Sequence, residues 1–252
     1  MLKKKTFDQG LIIGPYESKQ SFWKRVNSSH PSRGFSAPLF TDLFGFHPNW
    51  VEIFYSRKGL TFFQGGCAWI EGNNVSLQLH PSFEKKGSLF GIYHKDEILA
   101  HELVHAVRLQ FDEPLFEEVL AYQTSKSPFR RYFGPLLQSD WESFCFLSLI
   151  VSFAFLSFFS IPLAQGFALG GVMGYSIFLI LRLAWKQKHF HQCIKNLTTL
   201  LDSRIKARRL ALGLTDREIL LFSRSSPQTS ASIIEQKKIH SYRWQLLSVL
   251  LE

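Results

Sequence analysis

His101-Glu102-Leu103-Val104-His105 is the stretch on which the reading of this 252-residue chain turns. On a helix, positions i and i+4 stand one above the other, so His101 and His105 can both point at one ion, with Glu102 beside them. Neutral imidazole nitrogens are good zinc ligands, and a hydrolytic zinc site keeps one coordination position open for water. Such a site needs a third protein ligand. The helix carrying the pair is expected to begin near Lys95-Asp96 and to end near Gln110. Phe111-Asp112-Glu113-Pro114 then reads as a stop followed by a new start, with proline in the first turn. If the two helices fold back antiparallel about that link, residues equally distant from it face each other. His105 and Glu118 are such a pair, and the small Ala121 lets the second helix pack close. Glu118 is therefore the expected third ligand, and Glu117 is the alternative source of the metal oxygen.

Over residues 50–135 this constellation resembles the zincin metallopeptidases of the gluzincin type. In that family the two histidines of a helical HExxH motif and a downstream glutamate in an ExxA-like setting, here Glu118 to Ala121, bind zinc. The resemblance implies a single Zn2+ held by His101, His105 and Glu118, with Glu102 as general base. It also implies that Tyr122 or Tyr132 donates a hydrogen bond to a tetrahedral oxyanion. A further implication is a sheet ahead of the metal helix, with an edge strand along which substrate backbone pairs. Strand-like pieces at 50–55, 60–63, 67–70 and 75–80, separated by glycine turns, predict a small antiparallel sheet. Residues 75–80 are expected to be the substrate strand. Leu99, Leu103 and Ala106 fall opposite the ion-binding face and are expected to pack on the sheet. His80, followed by Pro81, reads as a strand-end histidine. His189 and His191 are two apart, so a helix points them to different faces.

Residues 143–181 contain no charged side chain, a run of 39 where about 20 cross a bilayer once. One helix of that length would be about 58 Å long, about twice the hydrocarbon thickness, so a transmembrane hairpin dividing near Ile161 to Gly166 is expected. Trp141 and Trp185 stand at its outer ends, flanked by Arg130, Arg131, Arg182, Lys186 and Lys188, which predicts that both ends face the cytoplasm. Gly166, Gly170 and Gly174, with Ser148 and Ser152, predict a close approach of the two helices. The net charge of +9 is spread over both ends of the chain and accompanies no nucleic-acid motif. It is read as attraction to anionic headgroups, with no nucleic-acid partner. Cys67, Cys145 and Cys193 have neither metal-like nor disulfide-like spacing, which suggests a reducing compartment. The basic start is followed by Thr6-Phe7-Asp8 instead of an apolar stretch, so no signal peptide is expected.

The expected class is α+β. An irregular segment, 1–48, holds one short helix near 18–26. A zincin-like domain, 49–138, packs a small antiparallel sheet on the zinc helix and a second ligand helix. A transmembrane helical hairpin, 139–185, and a C-terminal helical region, 186–252, complete it. In the last region one helix with Phe190, Ile194, Leu197, Leu201 and Ile205 on a stripe is expected to run to Gly213. Thr215 to Glu218 and Ser232 to Glu235 have capping-box spacing for two further helices, with 225–230 as the linker.

The expected function is a two-pass, membrane-anchored metallopeptidase acting on protein or peptide substrate near the lipid bilayer, its soluble domain and both termini cytoplasmic. An intramembrane protease also carries HExxH, but inside a spanning helix, whereas Lys95, Asp96, Glu97, Arg108, Asp112 and Glu113 bracket this one. A non-catalytic membrane scaffold with a structural zinc has no use for Glu102 and usually closes the metal with four protein ligands.

Overall fold

Prolines, glycines and hydroxyl caps punctuate the chain into short helices around one sheet. The computed structural model describes residues 6, 9–29, 34–61, 64–71, 74–159 and 162–250. Ser18 Oγ accepts from Ser21 N and starts α1 (Lys19–Ser28). Pro38 opens α2 (Pro38–Phe44), which Gly45 closes at φ 74°. Three strands follow, β1 (Glu52–Tyr55), β2 (Gly66–Glu71) and β3 (Asn74–Leu79). After them come α3 (Ser82–Lys86) and a small hairpin of β4 (Ser88–Leu89) and β5 (Tyr93–His94).

The sheet is mixed, not antiparallel as expected. β2 and β3 are antiparallel neighbours with Gly66 opposite Leu79, while β1 joins the far side of β3 in parallel. The cause is the connection after β1, which carries the chain across to β2 before it returns as β3. β3 is therefore the central strand, its backbone paired on both sides, and residues 75–80 cannot accept an added strand. The edges of the sheet are β1 and β2. The strand expected at 60–63 does not form over Leu60 and Thr61, where Gln64 N closes a turn onto Thr61 O. Phe62 and Phe63 lie outside the described residues.

The HExxH helix is α4 (Lys95–Val107), and Leu99, Leu103 and Ala106 are buried where it packs on β2 and β3. It stops three residues before Gln110, because the chain tightens at Arg108 and turns at Asp112, φ 44°. Pro114 then opens α5 (Pro114–Tyr122), which packs on α4. Ser127 caps α6 (Pro128–Phe133), and a short 3-10 turn, Gly134–Leu136, leads on.

Ser139 caps α7 (Asp140–Phe158), which packs along α8 (Pro162–Leu201). These are two helices long and apolar enough to cross a membrane, and their apolar windows are 0% and 11% buried, unlike the core helix of a soluble protein. The glycine stripe does not face the partner helix. A Cβ on Gly166, Gly170 or Gly174 would meet nothing within 4 Å, whereas Gly171 looks onto Leu149 at 3.4 Å. At the charged end of the pair, Arg182 grips Glu142 and donates to Leu136 O at 2.9 Å.

The 40 residues of α8 span about 60 Å. Its first half is exposed and apolar, while its last turns bury Phe190, Cys193 and Leu197. It breaks at Asp202, φ 47°, and Ser203 caps α9 (Arg204–Leu212), so the expected stripe to Gly213 is divided between two helices. The Thr215 to Glu218 capping box opens α10 (Asp216–Arg224). The next helix, α11 (Pro227–His240), starts at Ser226 and Pro227 and not at Ser232, since that serine and the N1 proline already form a start. A break at Ser241 precedes α12 (Tyr242–Leu247). One buried cluster takes in Leu11 and Phe40 from the N-terminal segment, Leu77 and Leu103 beside the metal helix, and Leu197, Leu210 and Trp244 from the C-terminal helices.

Candidate metal centre

The i, i+4 spacing on α4 brings His101 Nε2 and His105 Nε2 to 3.3 Å of each other. Across the turn, α5 delivers the Glu118 carboxylate to 3.7 Å from His101 Nε2 and 3.6 Å from His105 Nε2. A tetrahedral zinc with bonds of about 2.05 Å has ligand–ligand edges of about 3.3 Å. The two imidazole nitrogens stand at that spacing, a different Glu118 oxygen approaches each of them, and one donor atom from each residue can be chosen with all three within 4.8 Å, so His101, His105 and Glu118 could hold a metal ion.

Glu117 turns the other way. Its Oε1 lies 3.1 Å from His105 Nδ1, and its second oxygen accepts from Arg108 Nε. Of the two glutamates, Glu118 therefore joins the cluster with His101 and His105, and Glu117 pairs with the other nitrogen of the His105 ring. Accepting the Nδ1 proton fixes the tautomer that presents a lone pair at Nε2. Arg108 is buried, and its Nη1 donates to Leu212 O at 2.8 Å and Leu214 O at 3.0 Å. The corner between α9 and α10 thus reaches, through one guanidinium and one carboxylate, to a metal-binding imidazole.

The charges around the centre favour a cation. Burial, with His105 adding to it, pulls His101 down to about 3 and keeps it neutral. Burial pulls His105 the same way, but the hydrogen bond to Glu117 and the charges of Glu118 and Glu102 outweigh it and raise that imidazole. Glu118 is raised by burial, against the pull of His105. Burial also lifts Glu102, to about 7, with His105 opposing and Glu118 reinforcing the rise.

Two glycines make room for the centre. A Cβ on Gly66 would lie 3.1 Å from Glu102 Cγ and 3.1 Å from Gln78 O, so a side chain there would crowd the glutamate and the neighbouring strand. A Cβ on Gly134 would sit 2.1 Å from the Tyr122 ring. That ring stands edge-on to His101, centroids 4.8 Å apart, and burial followed by Glu118 raises its hydroxyl to about 12, so it remains a donor. Tyr132 is elsewhere. Its ring is exposed and packs edge-on against Phe133, while its carbonyl accepts from Gln187. Of the two tyrosines expected at the centre, only Tyr122 borders the cleft above it. Tyr93, which nothing in the sequence singled out, borders it too.

The cleft is about 720 Å³. Its floor holds His101, Glu102, His105, Glu118 and Tyr122. One wall is the start of β2, Gly66 to Ala68, and the others are Tyr93 with Arg130 and the first turn of α7 from Ser139 to Ser143. Three other histidines have separate partners: His80 Nδ1 accepts from Ser82 N, His189 pairs with Ser223 Oγ, and His191 with Gln187 O. No family model, no curated protein and no solved structure matches this chain.

Proposed function

We propose that this chain is a membrane-anchored, zinc-dependent metallopeptidase that hydrolyses peptide bonds. The observation that carries the reading is the cluster of His101, His105 and Glu118, one donor atom from each within 4.8 Å of the others, with the Glu102 carboxylate beside it and outside it, on the floor of an open cleft. A zinc ion bound there supplies Lewis acidity to a carbonyl oxygen and lowers the pKa of a water. The chain's own residues do the rest. Glu102 takes the proton of the attacking water and passes it to the leaving nitrogen. The Tyr122 hydroxyl donates to the oxyanion. The outer edge of β2, which no strand covers among the described residues, offers backbone groups to an extended substrate lying across the cleft. Burial of α4 against β2 and β3, outside the apolar hairpin, weighs against an intramembrane protease.

Metal analysis tests the centre. The wild type is expected to carry about one zinc per chain, and His105→Ala and Glu118→Ala to lose it. Glu117→Ala should keep the stoichiometry with affinity weakened about 10–100-fold, as for other hydrogen-bond partners of ligand imidazoles. Full zinc in Glu118→Ala with loss in Glu117→Ala would reverse the two roles.

The reading includes a two-pass topology with the metal centre and both termini in the cytoplasm, supported by the basic residues at both outer ends of the hairpin. Reporter fusions after Ala164 and after Glu252 are expected to report opposite compartments. The same compartment for both would end the hairpin topology.

A further inference from the structure

The charged end of the apolar hairpin is not the only part of the molecule shaped for a bilayer. Ser143, the first residue of the uncharged run, borders the metal cleft, and Tyr93 and Arg130 border the same cleft from another side. The β4–β5 hairpin and α6 therefore lie close to the level at which α7 leaves polar surroundings. Both present large apolar side chains outward: Phe90 is 50% exposed, Ile92 61%, Phe129 69% and Phe133 39%.

The two elements form one unit. Arg130 donates from Nη1 to Ile92 O at 2.8 Å, pairs through Nη2 with Glu97 and lies over the Tyr93 ring. Phe129 and Phe133 share a face of α6, with ring centroids 4.9 Å apart. Gln187, two residues beyond Trp185 on α8, donates to the carbonyls of Arg131 and Tyr132 and ties α6 to the end of the hairpin. Exposed Lys85, Lys86 and Lys126 flank the unit. Apolar side chains rimmed by lysine and arginine are what a segment lying in the headgroup layer needs, the rings among acyl chains and the cations at phosphate level.

We infer that the β4–β5 tip and α6 form an in-plane membrane anchor that rests on the leaflet the hairpin enters, so that the metal cleft opens at the lipid surface. The occupant is the bilayer, since this face adjoins the hairpin and carries the positive charge that anionic lipids attract. This rests on the membrane insertion proposed above, but not on zinc or on peptidase activity. A cleft so placed admits chains anchored in the same leaflet and cuts them within a few residues of it.

The test uses the full chain in phosphatidylethanolamine–phosphatidylglycerol vesicles, with photoreactive benzoylphenylalanine in place of Ile92, Phe129, Trp141 or Ile239 in turn. Ile239 is exposed on α11, and Trp141 is the reference for a residue at the hairpin end. Lipid adducts at positions 92 and 129 are expected at the level of 141 and several-fold above 239. Adducts at 92 and 129 no higher than at 239, with 141 reacting, would overturn the in-plane anchor and leave the hairpin standing. Failure of 141 as well would overturn both.

Discussion

Glu102→Gln is expected to lose hydrolysis by about 10²–10⁴-fold while its zinc content stays that of the wild type. The amide is nearly isosteric with the carboxylate, and Glu102 lies outside the cluster of three side chains that could hold a metal ion, so folding and metal content are expected to be unchanged. What it cannot do is accept a proton from the attacking water. The measurement compares wild type and variant for cleavage of denatured membrane proteins or a peptide library, with zinc determined in both. Equal cleavage would sink the general-base assignment. Absence of cleavage by either protein, with zinc bound to both, would favour a non-catalytic membrane scaffold that retains a zinc site.

Local periodicity carried much of this centre into view from the sequence. The i, i+4 histidines and the mirror placement of Glu118 about the Phe111 to Glu113 turn depend only on helix geometry, and they meet as that geometry requires. The uncharged run likewise divides into two helices, one ending at Phe158 and the next starting at Pro162, close to where its length and its proline predict a break. What was illegible depends on contacts between distant segments. Strand order is one case: alternation predicts that residues 75–80 form a strand, but not that β1 will take its second edge in parallel. The surroundings of Glu117 are another: helix geometry places Glu118 toward the histidines, but not Glu117 between His105 Nδ1 and Arg108. Gly66 reads as a turn residue in the sequence and Gly134 as nothing in particular, because a close approach to Glu102 or Tyr122 leaves no local trace. Tyr132, which the family resemblance offered as an oxyanion donor, has its ring turned outward on α6, a matter of packing that the resemblance does not carry.

Arg108→Met should destabilise the chain by about 3–5 kcal/mol, the usual consequence of removing one partner of a buried ion pair. The side chain is fully buried and serves three acceptors on two segments distant in sequence, the Glu117 carboxylate and the carbonyls of Leu212 and Leu214. Methionine fills much of the volume but leaves all three without their donor. Glu117→Gln should cost less, because the guanidinium keeps both carbonyl partners and an amide oxygen can still accept from it. Arg108→Lys should fall between them, since one ammonium cannot span acceptors that a planar fork reaches. Unfolding of all four proteins in one detergent, with and without zinc, measures the order. Zinc affinity should fall alongside stability in Arg108→Met, because a glutamate freed from Arg108 no longer holds the His105 ring in a fixed orientation. Stability of Arg108→Met within about 0.5 kcal/mol of the wild type, the range of ordinary surface substitutions, would show that the C-terminal helices are not tied to the centre through this residue.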